Sequence, residues 1–165
     1  MKARFSLFLG TVVIGMTQVV NAASASWTGT TDTDWQKTAN WGGAASIPGS
    51  GEIATFNGAG NGNVAITNLP TALSISQMMF SAVGSVSPAA YTISSNNTTW
   101  SIADGGGVSV SSGVTTNQNL SGIQFIRPAV NSTVNFNNQG SGLLKIGTIF
   151  SQNAGTGTTN ARLNF

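Results

Sequence analysis

The sequence has no cysteine and no histidine, and among its 165 residues only six are basic and four acidic. The first two absences exclude disulfides, thiolate nucleophiles, histidine-based triads and zinc sites built from Cys or His. A charged fraction of 6%, against roughly 25% in an ordinary soluble domain, leaves few groups for acid–base work or ion binding. Small and uncharged polar residues take that place: Ser, Thr, Asn and Gly account for 78 of the 165 positions. The length suits one domain with a real core and not two large ones.

Residues 1–22 read as a secretory signal peptide. Lys2 and Arg4 form the basic start, and Phe5 to Val20 is an apolar run shorter than the roughly 20 residues that span hydrocarbon. Val20-Asn21-Ala22 offers small residues for cleavage after Ala22, and Ala23-Ser24-Ala25 offers the next site. Lipoprotein processing is excluded, since it needs a cysteine at the cleavage point. Removing the segment changes the electrostatics. The remaining bases Lys37, Arg127, Lys145 and Arg162 equal in number the acids Asp32, Asp34, Glu52 and Asp104, so the formal +2 of the full chain falls to zero. No basic patch remains to hold a phosphate backbone, and nucleic acid is not an expected partner.

Residues 23–57 differ from the rest. They hold Trp27, Trp35 and Trp41, with Ile47-Pro48-Gly49 as a turn before Ile53-Ala54-Thr55-Phe56. Three indoles in so short a stretch predict a hydrophobic cap over one end of a core. From residue 58 to 165 the chain is a series of short apolar–polar alternations: Val64/Ile66, Leu73/Ile75, Tyr91/Ile93, Trp100/Ile102, Val108/Val110, Ile123/Phe125, Val134/Phe136, Leu144/Ile146 and Leu163/Phe165. Such alternation turns one face of each strand inward. Gly, Asn, Ser or Pro separates the runs, and no helical period is sustained, which predicts an all-β domain.

Two architectures compete. Asn57-Gly58, Asn61-Gly62 and Asp104-Gly105 suit tight hairpin turns and an antiparallel β-sandwich. The nearly uncharged Ser/Thr/Asn faces, without edge-protecting charges, suit stacked coils in which equivalent residues form ladders. The composition favours the second, a right-handed parallel β-helix of four or five coils.

The series Trp27-Thr28-Gly29, Trp35, Ala39-Asn40-Trp41 and Ile47-Pro48-Gly49-Ser50-Gly51-Glu52-Ile53-Ala54-Thr55-Phe56 resembles the opening of large bacterial secreted proteins that carry autotransporter-associated β-strand repeats. Glu52 stands where that family more often has Asp. The resemblance implies an exported β-helical passenger, at the cell surface or outside the cell, with the periplasm as the alternative for a truncated chain. No translocator barrel or sorting tail follows the repeats, and Arg162-Leu163-Asn164-Phe165 stops in mid-alternation, so a fragment of a longer passenger is the expectation.

Little chemistry is left to assign. Asp32 and Asp34 are the one pair of carboxylates placed to share a calcium ion or to mark the remnant of a lyase or hydrolase, against an alternative of turn and capping bonds. Trp27, Trp35 and Trp41 are candidate sugar-stacking residues, provided at least two stand exposed and roughly coplanar. Gly105-Gly106-Gly107 lacks the strand–loop–helix context of a phosphate loop. The sequons at Asn97, Asn119 and Asn131 read as incidental in a bacterial-looking chain. The sequence therefore predicts no enzyme, no cofactor and no resident metal. It predicts an exported structural or adhesive protein, with a carbohydrate-binding β-sandwich as the alternative. Expected partners are surface polysaccharide or other cells, with end-to-end self-association and no stable membrane span after signal cleavage.

Overall fold

The computed structural model describes residues 24–42, 47–126, 133–150 and 163–164. The expected signal peptide, Arg127, Arg162 and the Asn131 sequon lie outside them. The described strands are β1 (Ala25–Trp27), β2 (Trp41–Gly42), β3 (Ile53–Phe56), β4 (Ala65–Ile66), β5 (Ala72–Phe80), β6 (Thr92–Val110), β7 (Gln118–Ile126), β8 (Val134–Asn138), β9 (Leu144–Ile146), β10 (Ile149–Phe150) and β11 (Leu163–Asn164). Every pairing between them is parallel except β1 with β2. The result is a β-solenoid of about four turns. The expected parallel β-helix is therefore present, and the antiparallel sandwich is overturned.

Three ladders run along the solenoid. On the first face β1, β3, the end of β5, the end of β6, β8 and β11 lie side by side. On the second, β4 pairs with the start of β6, which pairs with the start of β7 and then with β9. The third stacks the start of β5, the middle of β6, the end of β7 and β10. Long strands such as β6 bend round corners and serve all three faces.

Alternation set this arrangement. On the first face Ala54, Met78, Val108 and Phe136 are buried and form one inward column, with Phe56, Phe80 and Val110 forming the next. Ile66, Ile93 and Leu120 line the second face, and Trp100 and Phe125 stand in register on the third. Stacking like on like brings aromatic rings into contact, as with Phe56 and Phe80, whose centroids are 5.1 Å apart at an interplanar angle of 21°. The repeat is uneven: Ala54 to Met78 spans 24 residues and Met78 to Val108 spans 30. Corner loops take up the difference.

The Asn-Gly signals serve those corners. Asn61 (φ 47°) and Gly62 (φ 82°) sit in a 3-10 turn between β3 and β4, and Asp104-Gly105 falls inside β6. Positive φ reverses a chain whether the next strand is antiparallel or starts another face, so these dipeptides do not discriminate between the two architectures. A tight hairpin does occur where none was expected, at Gly84-Ser85, with Val83 and Val86 exchanging both backbone hydrogen bonds.

Candidate functional site

Asp32, Asp34 and Lys37 of the Trp-rich segment gather where the first turn closes. After β1 the chain passes over the second face, where Asp34 bridges to Thr67 in parallel. It then makes a 3-10 turn at Thr38–Asn40 and runs back as β2 against the free edge of β1. This reversal ends the first-face ladder on that side.

Asn40 holds the loop. Its side chain is fully buried. The Oδ1 atom accepts from the Thr31 N–H (2.9 Å), the Thr31 hydroxyl (2.7 Å) and the Asp32 N–H (3.3 Å). The amide Nδ2 donates to Asp32 Oδ1 and to the Asp34 carbonyl, both at 2.9 Å. Its backbone carbonyl takes the N–H groups of Thr28 and Gly29. A buried amide with its capacity used in this way specifies one loop conformation. The sequence offered Asn40 only as part of a motif; its role needed the fold.

Asp32 and Asp34 act as turn acceptors. Asp32 Oδ1 accepts the Asp34 N–H, and its Oδ2 pairs with Lys37. Asp34 Oδ1 accepts the Gln36 N–H and the Asn68 amide. The Lys37 ammonium, then the Asn40 amide and the Asp34 N–H, hold the Asp32 carboxyl down at about 2. The same partner raises the pKa of Lys37. Both Asp32 oxygens are thus occupied, and no group of three potential metal-binding side chains occurs among the described residues. Glu52 closes a turn in a similar way. Its carboxylate accepts the Gly49 N–H at 2.6 Å across the Pro48–Glu52 turn, where Gly51 has φ 80°.

The three candidate sugar-stacking indoles are buried, with exposures of 1% for Trp27, 0% for Trp35 and 2% for Trp41. They meet edge to face: Trp35 and Trp41 at 4.5 Å and 73°, Trp27 and Trp41 at 5.1 Å and 79°. Trp35 also meets Trp100 of the third face at 4.9 Å. An exposed, coplanar pair is not formed, because the three indoles are buried and meet one another at steep angles. Trp27 Nε1 donates to the Asn63 carbonyl and Trp41 Nε1 to the Trp35 carbonyl, whereas the indole N–H groups of Trp35 and Trp100 are buried without a partner among the described residues.

A depression of about 370 Å³ lies instead on the outer side of the first face, lined by Ser76, Gln77, Gly107, Ser109, Asn135 and Asn137 among others. The Gly105–Gly107 run marks it in the sequence, but composition alone reads that run as a turn. Compared with known proteins, the chain matches no protein family, no curated protein and no solved structure.

Proposed function

We propose that this chain is an exported, non-catalytic structural or adhesive protein of the β-helical passenger kind, facing polysaccharide or other cells. The carrying observation is the solenoid itself: parallel rungs with apolar columns inside and small uncharged side chains outside, closed at one end by the Asn40 loop. Its acidic side chains at Asp32, Asp34 and Glu52 are committed to turns. Such a surface supports adhesion through repeated weak contacts rather than turnover. Among the described residues no helix is long and apolar enough to cross a membrane. End-to-end contact between copies at the end away from β2 belongs to the same reading, since open strand edges pair readily.

The test is expression of the full chain in a Gram-negative host, with fractionation, N-terminal sequencing of the exported product and a cell-adhesion assay. Export with a new N-terminus at Ala23 and adhesion above the vector control are expected. Retention of uncleaved protein in the cytoplasm, or export without adhesion or self-association, overturns the proposal.

A further inference from the structure

The depression on the first face is a slot that runs past a glycine, Gly107. Gln77, Gly107 and Asn135 occupy one outward column in register on successive rungs, and Met79, Ser109 and Asn137 occupy the next. The first column is an amide ladder whose middle member is glycine. Glycine is required there, because a Cβ at Gly107 would overlap the backbone carbonyl oxygen of Asn135. Rungs lie about 4.8 Å apart, so the two amides stand two rungs from each other with only glycine backbone between them.

The backbone builds the same slot from the side. Ile75 pairs with Ile102 and Gln77 with Gly107, so where β5 takes two steps β6 takes five. The three extra residues bulge out within Ala103–Gly106, and Gly105 and Gly106 of this bulge form one wall. Bulges of this kind often re-aim side chains next to binding sites. The wall is fastened: Gly105 N–H donates to the Thr133 carbonyl, and Asn135 Nδ2 donates to the Gly105 carbonyl at 2.9 Å. Gln77 Nε2 donates to Ser109 Oγ at 2.8 Å, which fixes its amide and leaves its carbonyl oxygen without a protein partner among the described residues. Asn137 is exposed beside it.

We propose that this slot binds a neutral saccharide, a ligand class that deepens the adhesive reading and rests on it. The chemistry selects the class. The lining side chains are uncharged amides and hydroxyls, which both donate and accept, as sugar hydroxyls do. No lining cation is present to favour a uronate or a phosphate. The volume lies at the small end of ligand pockets, roughly 300–1,000 Å³, and suits a mono- or disaccharide unit. Without an aromatic floor the site is weak, with dissociation constants on the order of millimolar. Repeated display on a cell surface would multiply it into adhesion.

The experiment is an amide-resolved NMR titration of the exported full chain with maltotetraose, cellotetraose, chitotetraose and mannotetraose, and with tetragalacturonate as the charged comparison. With at least one neutral sugar, shifts are expected at Gln77, Gly107, Ser109 and Asn137, and Gln77→Ala and Asn137→Ala, at outward positions, should each weaken binding about fivefold. Circular dichroism of both variants establishes that they fold; if Gln77→Ala does not, Asn137→Ala alone decides. Flat titrations with all neutral sugars, equal or tighter binding of the uronate, or unchanged affinity in the folded variants overturns the slot. Adhesion to a glycan-free, protein-coated surface separates the two readings. If export and adhesion persist while the titrations are flat, the slot fails alone; if sugar binds in the slot but displayed protein never adheres, the adhesive reading fails alone.

Discussion

Replacing Asn40 with alanine should loosen the closed end of the solenoid, and the structure gives the size of the effect. Five side-chain hydrogen bonds disappear, four of them at 2.9 Å or shorter. At about 1 kcal/mol net for each good bond, with water reaching some of the half-exposed partners, the loss is about 2–4 kcal/mol. Taking a urea dependence of about 1.5 kcal/mol per molar, the midpoint should fall by about 1.3–2.7 M. Tryptophan fluorescence reports it directly, because Trp35 lies in this loop, Trp41 follows Asn40 directly, and the two indoles touch. Asn40→Asp is the sharper comparison. It is nearly isosteric and keeps the acceptor for Thr31, but it turns both amide donations, to Asp32 Oδ1 and the Asp34 carbonyl, into oxygen–oxygen contacts. It should therefore destabilise at least as much as alanine. The exposed Asn137→Ala should stay within about 0.5 kcal/mol of the parent. A midpoint change below about 0.5 M for Asn40→Ala, or an aspartate variant milder than the alanine one, would refute the reasoning.

Other perturbations test other contacts. Asp32, held down at about 2 from 3.8, contributes stability that is present above its unfolded pKa and lost as pH falls through the folded one. Urea midpoints of the parent should thus drop between about pH 4 and pH 2 more than those of Asp32→Asn, and high salt should shrink the difference. Gly107→Ala should cost about 2–4 kcal/mol in thermal or urea unfolding, since the obstruction is backbone, whereas Gly58→Ala, with nothing within 4 Å of its Cβ, should be neutral within about 1 kcal/mol. Trp41→Phe removes a buried bond to the Trp35 carbonyl, but Trp35→Phe removes a donor that has no partner among the described residues. Beyond the shared loss of volume, urea unfolding should show the first to be worse by about 1–2 kcal/mol.

The strands were largely legible from alternation. Tyr91/Ile93, Trp100/Ile102, Val108/Val110, Ile123/Phe125 and Val134/Phe136 are all buried pairs, because a two-residue period leaves one face no other place to go. The parallel stacking was readable from composition: uncharged outer faces need no edge protection when each rung is covered by the next. Turn signals misled for the reason already seen at Asn61, and the bulge at Ala103–Gly106 was invisible because an insertion appears only against a neighbouring rung. The clustering of Trp27, Trp35 and Trp41 was readable as buried apolar packing. The polar Asn40 network that fixes it was not, since Thr31, Asp32 and Asp34 meet that amide only after the loop has folded.

The backward rung β2 gives the molecule a direction. Coils spliced in between two existing rungs would merge into the ladders and lengthen the rod while the seal stays in place. A whole second chain fused ahead of β1 would meet an edge already taken and would remain a separate body. Genetic lengthening of this scaffold should therefore proceed by internal duplication rather than by head-on concatenation.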